Sequence, residues 1–355
     1  MYFEKIYNFQ NLYQAHRAAR LGKQHTREVI EFEMDLAGNL TRLSDTIREK
    51  NYRMTDYYSF YVRDPKLREI HALHYPDRVV QHCICDEVLC PVLDPKLIYD
   101  NASCRTGKGT HFAIDRVSGF LREFYRRNGT GGYFLKCDIR KYFDNVDHDI
   151  LKSRLRRVFR EPEMMALLEQ VIDSYETAPG KGLPLGNQTS QWFAILYLDS
   201  LDRLVKERLQ IRYYSRYMDD CILIHSDRDV LRNCLNRMNE LVQEKLKLEF
   251  NEKTQIFPLR NGVNYLGWHF YLTETGKVIR KVRNQSKRRY RNKLRLMQYK
   301  YAEGSMELDS IKQVLTSYHA HLSHGHTYKL QERTLQGFVL AKSRDTCQKV
   351  LCTIN

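Results

Sequence analysis

The sequence predicts an α+β fold in which short apolar strands carry acidic side chains and helices supply much of the core. First, the segment 217–220 (Tyr-Met-Asp-Asp) has apolar flanks on both sides, a pattern typical of a β-hairpin with acids at its tip. Second, the run 134–137 is apolar enough for a strand and ends directly before Asp138. Third, helical stretches are predicted at 8–50, 192–204, 229–246 and 280–300.

Two adjacent carboxylates lie at the tip of the predicted hairpin. Asp219 and Asp220 repel each other and are costly to desolvate, so a fold that keeps them side by side usually neutralises them with a cation. Magnesium is the obvious candidate, since it prefers a few carboxylates together with substrate phosphates. An Asp-Asp pair is also common in solvent-facing turns. The hairpin taken alone leaves both interpretations open.

Asp138 supplies a third carboxylate from a separate predicted strand. Two-metal nucleotidyl transfer needs carboxylates from different strands to hold two ions roughly 3.5–4 Å apart. One ion activates the attacking 3′-oxygen and the other stabilises the leaving pyrophosphate. Asp138, Asp219 and Asp220 supply that set, although Asp138 alone could equally be a strand-terminal turn acid.

Together these segments resemble the palm motifs of reverse transcriptases. The resemblance implies that the three acids are catalytic and that Asp138, Ile139, Asp219 and Asp220 form the site for two magnesium ions. It also implies a right-hand polymerase fold with fingers, an antiparallel-sheet palm and a helical thumb.

The aromatic residue five positions past the first acid also matches the family pattern. Phe143 occupies that position, and the resemblance implies that its side chain excludes the 2′-hydroxyl of an incoming ribonucleotide. In the same segment we interpret Asp144 as a helix cap and Asp147 as a turn residue.

The loop 182–191 (Gly-Leu-Pro-Leu-Gly-Asn-Gln-Thr-Ser-Gln) opens the apolar helix predicted at 192–204. By resemblance, this loop packs against the nascent base pair and the template, with Gly186 and Gln191 in contact with nucleic acid and the glycine allowing close backbone approach. Leu185 stands where group II intron and retroviral enzymes usually carry glutamine. This departure resembles the reverse transcriptases of diversity-generating retroelements, in which an apolar residue here is associated with error-prone copying of template adenines. An ordinary loop-to-helix junction has the same composition.

Basic and aromatic residues elsewhere match further family positions. Lys66 and Arg68 are two residues apart on a predicted strand, so they point to the same side and could meet the triphosphate of a nucleotide. An exposed strand edge with solvated cations is the alternative. Lys253 matches a lysine that can protonate the departing pyrophosphate, or it is a solvated turn lysine. The resemblance implies nucleic-acid contacts at four more positions, Arg78, Arg105, Tyr217 and Tyr265, of which Tyr265 could instead be a core aromatic.

The segment 280–300 contains ten Lys or Arg residues and no acid. Because Tyr290, Leu294 and Met297 recur at helical intervals, we predict a thumb helix with an apolar inner face and a cationic outer face. Its arginines are predicted to contact phosphate backbones, and the candidates are Arg288, Arg289 and Arg291. The histidine-rich stretch 319–326 has no cysteine pair at zinc-finger spacing, which favours RNA contact or packing over metal.

Composition agrees with this assignment. The 355-residue chain has a net charge of +15 and a pI near 9.3, which indicates an anionic partner and most plausibly nucleic acid. No apolar run approaches the roughly 20 residues of a membrane-spanning helix, so membrane association is not expected. The first residues lack a secretory signal pattern, and the nine scattered cysteines are typical of reduced thiols in a cytoplasmic protein.

We therefore predict an RNA-directed DNA polymerase with an N-terminal helical region at 1–50, fingers and palm at 51–275, and a basic helical thumb at 276–355. The implied ligands are a structured template RNA, the cDNA product and dNTPs. The diversity-generating type also implies a small basic accessory protein. The alternatives are an antiphage-defence or other bacterial reverse transcriptase, RNA-templated RNA synthesis, and a non-catalytic RNA-binding scaffold with a polymerase fold.

Overall fold

The structure is a computed structural model that describes residues 1–63 and 67–342. Contacts between Cα atoms divide the chain into two compact units, which are described in turn. Unit 1 comprises Met1–Ala113 and Leu135–Ile256, and unit 2 comprises Ile114–Phe134 and Phe257–Asn355. Lys66, predicted to bind a nucleotide, lies outside the described residues.

Unit 1 begins with four short helices, which confirm the helical prediction for 8–50. Two of them start at residues whose side chains accept a backbone N–H of the first turn, Asn8 from Asn11 and Asp35 from Gly38, so free N–H groups at these helix ends are satisfied. The helices are α1 (Tyr2–Tyr7), α2 (Phe9–Ala19), α3 (Arg27–Met34) and α4 (Leu36–Arg48).

An antiparallel hairpin follows, formed by β1 (Tyr58–Arg63) and β2 (Leu67–Ala72). All six residues of β1 are exposed. The chain then enters α5 (Tyr75–Ile84), continues through a π-helical turn into α6 (Cys90–Leu93), and reaches the long helix α7 (Thr110–Asn128).

The central sheet has four strands in the order β4-β5-β3-β6. They are β3 (Tyr133–Cys137), β4 (Tyr213–Tyr217), β5 (Asp220–His225) and β6 (Gln255–Pro258). The strands β4 and β5 pair in antiparallel register with Tyr217 opposite Asp220, which confirms the predicted hairpin. Asp138 follows the last residue of β3, so its prediction at a strand end is also confirmed.

Five helices complete unit 1: α8 (His148–Val158), α9 (Pro162–Asp173), α10 (Gln188–Tyr197), α11 (Asp199–Arg203) and α12 (Arg228–Glu240). The helix predicted at 192–204 is observed as α10 and α11, and the one at 229–246 as α12 and its π-helical extension. Helix α10 is buried on nearly all sides, as expected for an apolar helix inside a core.

The capping prediction in this unit was wrong. Asp147 is the N-cap of α8, and its carboxylate accepts the N–H of Ile150 at 3.1 Å. Asp144 lies in a 3₁₀ turn, Phe143–Asn145, that delays the start of the helix.

Unit 2 combines a three-stranded antiparallel sheet with residues 114–128 of α7 and three further helices. The strands are β7 (Val263–Tyr265), β8 (Trp268–Leu272) and β9 (Val278–Val282), and the helices are α13 (Asn284–Ala302), α14 (Leu308–Ser323) and α15 (Tyr328–Leu335). Tyr290, Leu294 and Met297 are buried, which confirms the apolar face predicted for α13.

The histidine-rich stretch of unit 2 packs within the fold. The His321 ring lies 5.3 Å from the Trp268 ring, and the backbone N–H of His326 donates to the carbonyl of Arg280 at 2.9 Å. These contacts support packing, one of the two roles expected for the stretch. Across both described ranges, no helix is long and apolar enough to cross a bilayer.

Candidate active site

The acidic hairpin turn has an unusual backbone. Met218 and Asp219 connect β4 to β5, and Met218 has a φ of 54°. Two-residue hairpin loops favour positive φ, but they usually place Gly, Asn or Asp there. A left-handed conformation costs a residue with a Cβ roughly 1–2 kcal/mol. Neighbouring groups must therefore hold the turn.

Two polar groups hold the backbone of Met218. Its N–H donates to the hydroxyl of Ser103 at 2.5 Å, and its carbonyl accepts from the guanidinium of Arg216 at 2.7 Å. The backbone N–H and carbonyl of Met218 are thus both held by hydrogen bonds. These contacts set the direction in which the next residue, Asp219, leaves the turn.

Asp138 is held by a different loop. The backbone N–H of Asn251 donates to the Asp138 carbonyl at 2.6 Å, and the Asn251 side-chain amide donates to the Asp138 carboxylate at 3.2 Å. The N–H of Asp138 donates to the hydroxyl of Thr254 at 3.3 Å. The turn 251–254, which contains Lys253, is therefore attached directly to Asp138.

The carboxylates at the hairpin tip carry negative charge that the fold compensates only in part. Burial and, after it, the charge on Asp138 raise the pKa of Asp219 to about 6, although Arg216 and Arg68 oppose the rise. Burial also raises the pKa of Asp220 to about 7, although the ammonium of Lys136 lies 3.2 Å from its Oδ2. Within residues 1–63 and 67–342, Oδ1 of Asp220 has no hydrogen-bond partner.

This environment suits a divalent cation. Hard carboxylate oxygens are the ligands that Mg²⁺ prefers, and the raised pKa values and the unsatisfied oxygen show that ionised acids lack counter-charge here. In the part of the chain that is described, no three His, Cys, Asp or Glu side chains are close enough to hold one ion. Lys136 and Asn251 instead engage two of the acids. Asp138, Asp219 and Asp220 are the residues that would hold the metal.

The segment after Asp138 is tied to the glycine-proline loop. The N–H of Leu183 donates to the carbonyl of Phe143 at 2.8 Å, and the N–H of Gly182 donates to the carbonyl of Val146 at 2.9 Å. Phe143, the predicted sugar-selecting residue, is half-buried. Its backbone position is therefore set by the loop predicted to contact the template.

Gly186 lies close to the β1–β2 hairpin, while its predicted contact with nucleic acid stays a prediction. Its φ is +112°, and a Cβ at this position would lie 3.1 Å from Cγ2 of Ile70 on β2. The hairpin carrying Arg68 is thus packed against the loop, and Leu185 beside it is half-buried. Arg68 is exposed, yet its charge lowers the pKa of Asp219, which is consistent with a place near the acids.

Three residues predicted to contact nucleic acid are engaged inside the fold. The guanidinium of Arg105 pairs with Asp94 and donates to backbone carbonyls of the same loop, including that of Ile98 at 2.6 Å. Arg78 donates to the carbonyl of Leu73 at 2.8 Å and to the hydroxyl of Tyr58 at 2.9 Å. Tyr265 is 1% exposed, which agrees with the alternative that it is an aromatic residue of the core. Their contact with nucleic acid stays a prediction.

The remaining predicted residues are more accessible. Tyr217 is half-buried and accepts a long hydrogen bond from Thr110 at 3.4 Å, and Gln191 accepts one from the thiol of Cys104. Lys253 is exposed in the turn that binds Asp138. Ile139, predicted at the metal site, is buried and its backbone bridges to Phe250. The thumb candidates Arg288, Arg289 and Arg291 are all exposed on α13 of unit 2.

The sequence analysis missed Lys136, Asn251, Ser103 and Arg216. One signal could have identified Lys136, because residues two apart on a strand share a face and Lys136 precedes Asp138 by two. Asn251 and Ser103 act from positions far along the chain, and no local pattern marks them. Arg216 is fully buried, which a sequence pattern would not suggest for arginine.

Comparison with known proteins assigns the family. A sequence model of the family "Reverse transcriptase (RNA-dependent DNA polymerase)" matches residues 63–270, more than half of the chain. The chain belongs to the reverse transcriptase family. It has the reverse transcriptase fold of helices and antiparallel sheet, and this confirms the predicted fold class.

Curated relatives of this reverse transcriptase are distant. Protein YkfC of Escherichia coli K12 is 23% identical over 273 residues, which cover 65% of this chain and 71% of YkfC. The group II intron-encoded protein LtrA of Lactococcus lactis is 22% identical over 204 residues, covering 54% of this chain and 32% of LtrA. The chain thus spans about a third of LtrA. Among solved structures, apo telomerase from Candida tropicalis aligns with a TM-score of 0.49 and 16% identity, covering 64% of this chain and 49% of that chain.

Proposed function

We propose that the protein is an RNA-directed DNA polymerase that extends a primer 3′-end with dNTPs on an RNA template. The observation that carries the proposal is the group of three acids at the end of β3 and the tip of the β4–β5 hairpin, where the charge on Asp138 raises the pKa of both Asp219 and Asp220. A binding scaffold would gain nothing from acids that are costly to bury. Family membership supports the same reaction class.

In the proposed reaction Asp138, Asp219 and Asp220 hold two magnesium ions, with Ile139 at the same site. When bound, these ions lower the pKa of the primer hydroxyl and stabilise charge on the leaving pyrophosphate. The exposed side chain of Arg68 binds the triphosphate, together with Lys66. Lys253, on the turn bonded to Asp138, donates a proton to the pyrophosphate.

We assign selection of the nucleotide and of the template to Phe143 and to the loop 182–191, which backbone hydrogen bonds join to each other. Phe143 would exclude the 2′-hydroxyl, and its main chain is fixed by Leu183. Gly186 and Gln191 would contact the nascent base pair or template. Four further nucleic-acid contacts are proposed at Arg78, Arg105, Tyr217 and Tyr265.

We propose the domain division 1–50 for the N-terminal helices, 51–275 for fingers and palm, and 276–355 for the thumb. The exposed arginines of α13 support a phosphate-binding role for the thumb, since the segment 280–300 itself contains no acid.

For the biological subtype, we propose error-prone synthesis within a diversity-generating retroelement. Leu185 and the Ser190-Gln191 ending of the loop support this assignment. In this subtype the protein would work in the cytoplasm, copy a structured template RNA and bind a small basic accessory protein. An antiphage-defence reverse transcriptase is the second candidate, because its motifs overlap these.

Primer extension by the purified protein tests the reaction class. On a primed RNA template with Mg²⁺, dNTPs should support synthesis and rNTPs should not, and chelation with EDTA should abolish synthesis. Extension with rNTPs alone would refute DNA synthesis and favour an RNA polymerase. RNA binding without synthesis under any metal would favour the scaffold alternative.

A further inference from the structure

We propose that Arg216 and Asp202 are positioning residues that hold the hairpin turn so that Asp219 points to the reacting centre. This inference rests on the proposed polymerase function. It assigns a role to the most deeply buried ion pair among the described residues, because both side chains are 0% exposed. A salt bridge at this depth calls for a reason, since desolvation of the two charges can exceed their attraction.

Asp202 on α11 is fully satisfied. Arg216 donates to it through two nitrogens, at 2.7 and 2.6 Å. The hydroxyl of Tyr214 donates to the first carboxylate oxygen at 2.6 Å, and the amide of Asn101 donates to the second at 3.3 Å. The carboxylate therefore fixes the plane of the guanidinium.

The same guanidinium reaches the active-site turn. Nη1 of Arg216 donates to the carbonyl of Met218 at 2.7 Å. Nη2, which also contacts Oδ2 of Asp202, donates to the carbonyl of Ile195 on α10 at 3.2 Å. Only arginine offers donors in such a rigid fork. One side chain thus joins α10, α11 and the residue that precedes Asp219.

The turn depends on this contact because Met218 is in the left-handed region, with a φ of 54°. Ser103 holds the N–H of Met218 and Arg216 holds its carbonyl, so the two peptide planes that flank Met218 are each fixed by one hydrogen bond. Removing the Arg216 donor would free the Met218 carbonyl and let the turn relax. A small misplacement of reacting groups can lower a rate on the order of 100-fold.

A purely structural role makes a different prediction. Buried ion pairs can often be replaced by apolar residues of similar volume without loss of stability. The double variant Arg216→Met/Asp202→Leu removes both charges together and leaves neither unpaired. Tyr214→Phe is the matched control, because it removes one hydrogen bond to Asp202 but none to the turn.

The experiment measures melting temperature, Mn²⁺ affinity by electron paramagnetic resonance, and kcat and KM for dNTP in primer extension. We expect the double variant to fold with a melting temperature near that of the wild type, to bind Mn²⁺ more weakly, and to lose kcat by about 10- to 100-fold with little change in KM. Tyr214→Phe should keep wild-type kcat and Mn²⁺ affinity.

A folded double variant with wild-type kcat and Mn²⁺ affinity would overturn the inference. If the double variant does not fold, Ser103→Ala removes the other contact to Met218, and unchanged kcat and Mn²⁺ affinity in that variant would overturn it instead. Failure of the proposed function is distinguishable, because it would appear as absent synthesis by the wild type. The Mn²⁺ comparison would still decide whether Arg216 positions the acids.

Discussion

The metal-free protein should be destabilised by its own active-site acid, and Asp220→Asn should relieve this. Burial raises the pKa of Asp220 from 3.8 to about 7. Because the folded pKa is above the unfolded one, the protonated form favours folding. The contribution of Asp220 to the free energy of unfolding is therefore greatest below about pH 4 and is lost as the pH rises through 7.

The size of this effect follows from the shift. The rise in the pKa of Asp220 from 3.8 to about 7 corresponds to a loss of about 4 kcal/mol in the free energy of unfolding at high pH. The Asp220 side chain is 22% exposed, so solvent screening reduces the expected value to about 2 kcal/mol. For a protein of this size that amounts to roughly 3 °C in melting temperature.

Thermal denaturation in EDTA at about pH 5 and about pH 8 measures the effect. Asp220→Asn should melt roughly 3 °C above the wild type at the higher pH and only about 1 °C above it at the lower pH, where the folded carboxyl is protonated but the unfolded one is already ionised. Added Mg²⁺ should stabilise the wild type and close the gap, since an ion that binds the folded state shifts the equilibrium towards it. Asp229→Asn, which removes an exposed acid on α12, is the matched control. A gap that does not depend on pH, or a variant less stable than the wild type at about pH 8, would refute the reasoning.

Three further predictions concern selectivity and affinity. Phe143→Ala should raise the ratio of kcat/KM for rNTPs to that for dNTPs by ten-fold or more, measured by single-nucleotide extension; an unchanged ratio would exclude Phe143 as the sugar-selecting residue. Leu185→Gln should lower misincorporation opposite template adenine, measured by sequencing the cDNA, and equal error spectra would remove Leu185 as a fidelity determinant. Replacing Arg288, Arg289 and Arg291 with Gln should weaken RNA binding and reduce the slope of log K against log[salt] by about 0.7–0.9 for each phosphate that the variant no longer binds; an unchanged slope would place the phosphate-binding residues elsewhere.

Local patterns predicted the parts of this protein that depend on neighbouring residues. The apolar flanks on both sides of Asp219 and Asp220 sufficed for the hairpin, because strand pairing across a short turn is set within about ten residues. The spacing of Tyr290, Leu294 and Met297 sufficed for the buried face of α13.

Long-range contacts determined what the sequence could not show. Arg105 lies in a glycine-containing loop, and only packing against Asp94 decides that its guanidinium faces inward. Arg216 reads locally as one more cation in a basic chain, but its partner Asp202 is 14 residues away on another element. Asp144 was mistaken for a cap because a 3₁₀ turn delays the start of α8 until after Asp147.

The central claim is that the three acids perform metal-dependent DNA synthesis. The most direct test compares single-turnover primer extension by the wild type, Asp219→Asn and Asp229→Asn, with the affinity for primed RNA template measured on the same preparations. We predict that Asp219→Asn binds the template like the wild type but extends it at least about 100-fold more slowly, since charge stabilisation at the reacting centre is lost. Asp229→Asn should match the wild type in both measurements. Extension by Asp219→Asn at the wild-type rate would contradict the account.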